Sequence, residues 1–379
     1  MANPFLGVFL HAIGGLAAGS FYTPFRAVRA WAWEAYWLVQ GLLAWIIAPP
    51  VACALTVPDW WGVLQRSPGS AVLWAYLFGA LWGVGGLTFG LSMRYLGMSL
   101  GYAVALGFCA TFGTIVPPLF QGQAGELVST TSGLTVLAGI AVCLLGIAVC
   151  GRAGIRKERE LTAEQQKAAI SEFSLAKGFV VAIFAGVMSA CMAFAIAAGK
   201  PIADLAAASG APDVFRNNPS YVVIMAGGFT TNLIWCAILL LRNGTWRGYA
   251  EGPAGRFALN FALSGLAGVI WYLQFFFYGM GTTRMGRYDF SSWTIHMAFI
   301  IVFSNLWGIR FREWRGVTRP TMRLVWTGIA TLVLSTVVIG AGNYLASRAK
   351  TVPQEAAAQG AVSASDGVVG RNGLPRRAR

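Results

Sequence analysis

Residues 268–299 read GVIWYLQFFFYGMGTTRMGRYDFSSWTIHMAF, and this stretch decides the fold class. It consists of two apolar runs that a short polar turn joins. Gln274, Asp289 and His296 lie within these runs, among several Trp and Tyr residues. Polar side chains in a segment that crosses a bilayer are costly unless they face a cavity or a partner. If both runs cross a bilayer, these three side chains therefore mark a functional site.

The composition of the chain is that of an integral membrane protein. The 379 residues are 56% hydrophobic and 11% charged, whereas a soluble domain carries about 25% charged residues. The formal net charge of +14 fits basic loops held against anionic lipid headgroups, and no segment interleaves basic and aromatic residues as a nucleic-acid groove does. The six cysteines form no C-x-x-C pair, so neither a disulfide framework nor a metal site is predicted. We expect an all-α integral membrane protein that binds no nucleic acid.

Apolar runs of about 20 residues, the length that crosses a bilayer, predict ten transmembrane helices, near residues 4–24, 36–57, 71–93, 98–119, 131–151, 177–197, 219–241, 257–280, 289–309 and 322–346. Loops after odd-numbered spans, counted together with Lys177 and Arg323 at the starts of the spans that follow, carry 17 Lys and Arg, against 5 in the other loops. Because basic loops stay in the cytoplasm, both termini are predicted to lie outside it. The basic tail argues for the opposite orientation, but only Arg348 and Lys350 in it lie near the last span.

The two halves of the chain share a weak repeat. Spans 1 and 6 carry small residues at the same spacing, namely Gly7, Gly15 and Ala18 against Gly178, Gly186 and Ser189. Two five-helix repeats are therefore predicted, 1–151 and 177–346, and the second is inverted because five is odd. Inverted repeats are typical of transporters. Between them, 152–176 is predicted to be a cytoplasmic connecting loop with a short surface helix, and 347–379 is predicted to be a disordered tail.

One face of span 8 has the residue types that bind sugars. Trp271, Gln274, Phe275 and Tyr278 follow helical spacing, so aromatic rings and a lone amide share a face. Rings can cover the C–H face of a sugar while the amide reads its hydroxyl groups. Ordinary core packing explains the same pattern. In span 7, Asn232 is predicted either to join helices or to hold a hydroxylated ligand.

Four titratable residues are candidates for carrying a proton. The chain has no G-x-x-x-x-G-K-[ST] motif, so transport by this chain would use a gradient or be passive. Asp289 and His296 share a face of span 9, about 10 Å apart along the helix axis, and His11 and Glu34 lie in spans 1 and 2. Histidine titrates near neutral pH. The alternatives are a backbone-bonded His11 and membrane-surface ion pairs for Asp289 and Glu34.

Five long strings carry a resemblance that covers both halves of the chain: FYTPFRAVRAWAWEAYW (21–37), GLSMRYLGMSLG (90–101), PSYVVIMAGG (219–228), WYLQFFFYGMG (271–281) and YDFSSWTIHMAF (288–299). With them the chain resembles the L-rhamnose–proton symporter family of the drug/metabolite transporter superfamily. The resemblance implies ten helices in two five-helix repeats, a bacterial inner-membrane location and proton-coupled uptake of L-rhamnose. In that membrane the loop charges predict periplasmic termini. It departs at 83–88, GVGGLT, where compared members carry an asparagine, which leaves a related 6-deoxyhexose open as the substrate.

We therefore expect a sugar–proton symporter that works by alternating access and is not an enzyme. Trp271, Gln274 and Tyr278 are predicted to bind the sugar, with Trp293 closing the site. His296 is the first candidate for the proton, and Asp289 is predicted to be a charge at the outer mouth. No cofactor is expected apart from the co-transported proton. Alternatives are a metabolite or drug exporter of the same superfamily, a membrane-embedded transferase and a sugar sensor that does not transport; the sequence leaves the oligomeric state open.

Overall fold

The computed structural model describes residues 3–96, 98–120, 122–160, 175–251 and 253–369, which form helices and short connections without a β-strand. The first half contains α1 Pro4–Ser20, α2 Trp33–Gly41, α3 Ala48–Thr56, α4 Trp60–Arg66, α5 Gly69–Leu96, α6 Met98–Phe120, α7 Ala124–Ser129 and α8 Thr131–Glu160. The second half contains α9 Leu175–Ala198, α10 Lys200–Ala208, α11 Asn218–Asn243, α12 Ala254–Met285, α13 Ser292–Arg310 and α14 Arg319–Val369. The predicted all-α class is confirmed over these residues.

Eight helical stretches in the described ranges are long and apolar enough to cross a membrane. One of them, Ala254–Arg310, contains both α12 and α13, with the 3₁₀ turn Gly286–Ser291 between them. Within α6, Val104–Phe120 is a shorter apolar helix. Large apolar side chains are exposed along these helices, as expected for surfaces that face lipid tails.

The connection between α12 and α13 differs from the prediction. We expected span 9 to begin at Asp289, with Asp289 and His296 on one helical face. Instead, α12 ends where Gly286 adopts a positive φ of 76°, and Asp289 lies in the 3₁₀ turn that follows. Because α13 begins only at Ser292, the Asp289 carboxylate and the His296 ring belong to different elements. Glycine permits this backbone conformation, which other residues adopt at a cost.

Two predicted segments without membrane spans also contain helix. The expected connecting loop 152–176 begins as part of α8, which continues to Glu160, and 161–174 lies outside the described residues. At the other end, α14 continues to Val369, into the segment 347–379 that composition predicts to be unstructured. Alanines, frequent in this segment, favour a helix, whereas Pro353, Gly360 and Gly367 oppose one, so local propensity alone does not explain the extension.

Helices from the two halves interleave. Helix α1 packs against α12 and α13, while α9 packs against α5 and α6. Helix α2 packs against α12, and α11 packs against α5. Helices α8 and α14 pack along each other. Each half therefore completes the core of the other.

The connections between the helices lie at the two opposite ends of the bundle. On the first, which we call the Asp289 side, Arg287 pairs with Glu126, and the backbone N–H of Asn3 donates to the Arg284 carbonyl at 3.0 Å. On the second, the Glu34 side, Arg26 lies 3.6 Å from Glu313. Also on this side, Arg29 and Asn260 exchange hydrogen bonds of 3.2 and 2.8 Å, Thr245 donates to Glu34, and Thr318 donates to Glu160.

Glycines allow α5 and α11 to approach until their backbones touch. A Cβ atom added to Gly79 would collide with the carbonyl of Ile224, and one added to Gly227 would collide with the carbonyl of Tyr76. Small residues at helix interfaces permit such packing in membranes. Both obstacles are backbone atoms, so a side-chain rotation cannot relieve either collision.

We therefore expect Gly227→Ala to lower the free energy of unfolding by about 1–3 kcal/mol, the usual cost of overpacking. The matched control is Gly86→Ala in α5, where an added Cβ meets nothing within 4 Å and the change should stay within about 1 kcal/mol. Unfolding in mixed detergent micelles measures both. Equal stabilities of the two variants would contradict the close packing of α5 and α11.

Candidate functional site

One face of α12 forms a wall in the centre of the bundle. Ser264, Gly268, Trp271, Phe275 and Tyr278 recur every three or four residues, which places them on one side of a helix, and all five are buried. The Trp271 and Phe275 ring centroids are 5.2 Å apart, and those of Phe275 and Tyr278 are 6.3 Å apart. The aromatic stripe predicted from spacing is thus a continuous surface that faces other helices.

Two histidines from distant parts of the chain meet at this wall. His11 of α1 and His296 of α13 are both fully buried. Their ring centroids lie 5.1 and 5.2 Å from that of Tyr278, and 6.4 Å from each other. Glycines provide the space: a Cβ on Gly281 would come within 2.8 Å of His11 Cε1, and one on Gly14 within 3.4 Å of His296 Cε1.

The imidazole nitrogens of both histidines have no hydrogen-bond partner in the part of the chain that the structure describes. Neither Nδ1 nor Nε2 of His11 or His296 is bonded to any of the described residues. Buried polar groups are normally bonded, and an unpaired one costs about 1–3 kcal/mol. Among the described residues, His11 therefore does not make the hydrogen bond to a backbone group that was the alternative considered for it. Two unpaired imidazoles are available for a proton, a water molecule or a ligand hydroxyl.

A small cavity adjoins this group on the Asp289 side. Its volume is about 80 Å³, and Tyr278 and Trp293 form part of its lining. The rest of the lining combines apolar side chains with polar ones, the polar ones being Lys200, Asp204, Arg216, Asn217, Thr282 and Asp289. An apolar wall with a few convergent polar groups is the usual form of a small-molecule site.

The other residues of this region that are predicted to bind the sugar, Trp293 and Gln274, adjoin the wall. The Trp293 ring lies 6.1 Å from that of Tyr278, with an interplanar angle of 80°. Its indole N–H donates to the Cys109 carbonyl at 3.1 Å, which holds the ring against α6. Gln274 is 5% exposed, and its side-chain amide makes no hydrogen bond within the described part of the chain. That amide is therefore available to a ligand.

Asn232 and Glu34 lie outside this group. Trp37 donates to the Asn232 side-chain oxygen at 3.1 Å, and the Asn232 amide donates to the Gly228 carbonyl at 2.9 Å. Glu34 accepts a hydrogen bond of 2.6 Å from Thr245 on the Glu34 side. The structure thus brings together Trp271, Gln274, Tyr278, Trp293, His11, His296 and Asp289, and it engages the other two in contacts between helices.

Sequence reasoning missed several cavity and wall residues. Lys200 and Arg216 look like ordinary loop charges in the sequence, and only the packing of α10 and α11 brings them to the cavity. Trp45 was also overlooked, although its ring lies 5.4 Å from Trp271. A signal for Trp45 was present: Pro49 and Pro50 interrupt an apolar span, and irregular helix turns cluster at functional sites.

Comparison with known proteins identifies the family of the chain over residues 1–345. A family model described as "L-rhamnose-proton symport protein" matches residues 1–345. The chain belongs to this family. A protein from Cronobacter sakazakii named "L-rhamnose-proton symporter" is 40% identical over 340 residues, which cover 89% of this chain and 97% of the relative. Proteins of the same name from Salmonella paratyphi B and Salmonella newport are 38% identical over the same extent.

These matches confirm the family resemblance derived from the five strings. The relatives are named as symporters rather than as enzymes, in agreement with the expectation that this chain is not an enzyme. Family membership and the apolar helices together establish an integral membrane protein. Every residue of the histidine and aromatic group lies within the matched range.

Proposed function

We propose that this chain takes up L-rhamnose, or a closely related 6-deoxyhexose, together with protons by alternating access. The observation that carries the proposal is the family match over residues 1–345. Relatives matched over nearly their whole length carry the name L-rhamnose-proton symporter. The buried aromatic wall with two unpaired histidines supplies groups of the two kinds that such a transporter needs, one for the sugar and one for the proton.

We further propose ten spans arranged as two inverted five-helix repeats, 1–151 and 177–346, joined by 152–176 and followed by 347–379. The helix contacts support this division. The packing of α1 on α12 and α13 corresponds to that of α9 on α5 and α6, which is the relation expected of swapped repeats. The α8–α14 pair relates the two fifth helices. Such a division agrees with membership of the drug/metabolite transporter superfamily.

We place the protein in the bacterial inner membrane with the Asp289 side and both termini in the periplasm. The charge bias of 17 against 5 Lys and Arg between the two sets of loops supports this orientation. The start of α1 and the end of the last proposed span lie on the same side of the bundle, the Asp289 side, because Phe5 lies 5.6 Å from Tyr344 between ring centroids. The 80 Å³ cavity would then face the compartment from which sugar is taken up.

The proposed sugar site lies between the cavity and the histidines. Trp271 and Tyr278 cover the C–H face of the ring, and the Gln274 amide reads hydroxyl groups. Trp293 closes the site, and the Asp289 carboxylate at the cavity accepts hydrogen bonds from hydroxyl groups of the arriving sugar. Asn232 holds Trp37 in place on the proposed transport route, which leads from this site to the Glu34 side. Glu34 remains a predicted proton carrier on that side.

The proposed proton carrier is His296, with His11 as its neighbour. Their 6.4 Å separation and complete burial favour one shared proton, because two positive charges in an apolar site repel strongly. A bound proton makes the carrier ring a donor at both nitrogens, which adds a hydrogen bond to the sugar. Binding of the proton and the sugar would thus favour each other, as symport requires. No further cofactor is proposed.

The test is uptake by proteoliposomes that contain the purified chain. We expect L-rhamnose to cause proton entry into the vesicles and an inward proton gradient to drive its accumulation. A panel of 6-deoxyhexoses and their 6-hydroxy counterparts defines the substrate. Exchange of labelled sugar without accumulation would indicate a passive carrier, and the absence of all sugar movement would contradict transport.

A further inference from the structure

Unpaired polar groups continue beyond the histidines toward the Glu34 side. Both amide atoms of Gln40, the indole nitrogen of Trp45 and the hydroxyl of Ser264 are buried without a hydrogen-bond partner among the described residues. The Tyr221 hydroxyl, which also has no partner there, lies beside Gly279 at the level of the histidines. The exposed fraction is 0% for Gln40 and 3% for Trp45. In a bilayer such groups are costly unless water or a ligand reaches them.

These groups follow the same face of α12 that carries the aromatic wall. Tyr221 lies 5.9 Å from Phe275, and Trp45 lies 5.4 Å from Trp271, between ring centroids. A Cβ on Gly268 would touch the backbone carbonyl of Gln40, which places this residue of α2 against the same part of α12. Ser264 is one turn further along the same face. With Tyr278 at its other end, the row spans about 21 Å at 1.5 Å per residue.

A π-helical turn places Trp45 in this row. Residues Leu42–Ile47 form the turn, and the N–H of Ala48 bonds to the carbonyl of Leu43, five residues earlier. Two prolines, Pro49 and Pro50, follow it and cannot donate backbone hydrogen bonds. A Cβ on Gly41 would approach the Trp45 ring to 2.8 Å, so the turn and this glycine together make room for the ring. Single π turns are frequent at functional sites.

Further tryptophans enclose the Trp45 ring. Trp82 lies 5.9 Å and Trp271 5.4 Å from it, both nearly perpendicular to it, and Trp37 lies 6.3 Å away. The Trp82 and Trp271 rings are 5.6 Å apart. Flat apolar surfaces beside an indole N–H and an amide have the composition of a sugar site, and the rings close this part of the route in the described conformation.

We propose that Gln40 and Trp45 form a second sugar subsite, which holds the sugar when the route opens toward the Glu34 side. The inference rests on the proposed function and extends it to a site that is distinct from Gln274 and Tyr278. There the Trp45 indole N–H donates to a sugar hydroxyl, and the Gln40 amide both donates and accepts. Trp82 and Trp271 separate to cover the two faces of the sugar ring.

The test compares Trp45→Phe and Gln40→Leu, which remove the polar groups and keep most of the side-chain volume. Sugar exchange without a proton gradient is measured in right-side-out and inside-out membrane vesicles. We expect the KM for sugar at the Glu34 side to rise about tenfold in each variant, while the KM at the Asp289 side stays within about twofold of wild type. Trp74→Phe, an exposed tryptophan of α5, is the control for tryptophan loss.

The outcomes separate this inference from the function on which it rests. If wild-type vesicles exchange sugar and both variants keep the wild-type KM at each side, the subsite is wrong and the proposed function stands. An equal rise of KM on both sides also overturns it, because that result assigns the residues to general packing. If wild-type vesicles move no 6-deoxyhexose, both proposals fail. A wild-type KM at the Asp289 side serves as the check that a variant folds.

Discussion

His296→Gln is expected to abolish proton-driven accumulation of sugar while sugar exchange across the membrane continues. The His296 ring is fully buried, and neither of its nitrogens has a hydrogen-bond partner among the described residues. Glutamine keeps a polar side chain of similar reach but does not titrate. If His296 carries the proton, the variant can still bind and release sugar, but it can no longer couple these steps to a gradient.

The expected size of the effect follows from the driving force. One proton moving across 100 mV releases about 2.3 kcal/mol, which corresponds to about 50-fold accumulation of a sugar taken up with it. The variant should equilibrate the sugar at a ratio of about 1. Proteoliposomes with an imposed potential measure the accumulation, and exchange of labelled sugar measures the retained movement.

His11→Gln is the matched comparison, since the chain contains only two histidines. Loss of accumulation in both variants would indicate that the two imidazoles, 6.4 Å apart, share the proton. Loss in His11→Gln alone would assign the proton to His11. Accumulation by His296→Gln at the wild-type ratio would contradict the role proposed for His296.

Gln274→Ala is expected to raise the Kd for L-rhamnose about 10- to 100-fold, with a smaller effect on the amount of folded protein. Its amide lies beside the aromatic wall and is not engaged within the described part of the chain, so the truncation breaks no internal hydrogen bond. A sugar hydroxyl left without a partner in a buried site costs about 1–3 kcal/mol. Equilibrium binding of L-rhamnose to the purified protein measures the loss.

Asn305→Ala is the control for this variant. Asn305 has the same functional group and lies in α13, but its amide donates to the Ile301 carbonyl within its own helix at 2.9 Å. We expect its removal to leave the affinity for sugar within about twofold of wild type. Unchanged affinity in Gln274→Ala would remove Gln274 from the sugar site, and equal losses in both variants would point to a general effect of amide removal.

The class of protein and the aromatic face of α12 were predictable because they depend on local properties. The length of an apolar run indicates a membrane span, whatever the rest of the chain contains. The spacing of Trp271, Phe275 and Tyr278 places them on one side of any helix that contains them. The break after α12 was harder to locate, since Gly286 is one of 47 glycines, most of which carry no such signal.

The uses of individual polar side chains were not predictable in this way. Asn232 and Gln274 both look like lone amides in apolar spans, but Trp37, 195 residues away in the chain, engages only the first. Glu34 looks like a carboxylate without a partner in the sequence, but Thr245, 211 residues away, donates a hydrogen bond to it in the structure. Such differences depend on how each helix is rotated against its neighbours, which a single helix does not specify.

The sequence by itself determined that the chain crosses a membrane, which family it belongs to, and which face of α12 carries rings. Only the tertiary structure decided that His11 and His296 meet at Tyr278, and that a π turn adds Trp45 to the same wall. The physical reason is that composition and periodicity act within one helix. Meetings between helices depend on close approach at glycines such as Gly14 and Gly281, where a collision or a gap of one methyl group decides which side chains touch.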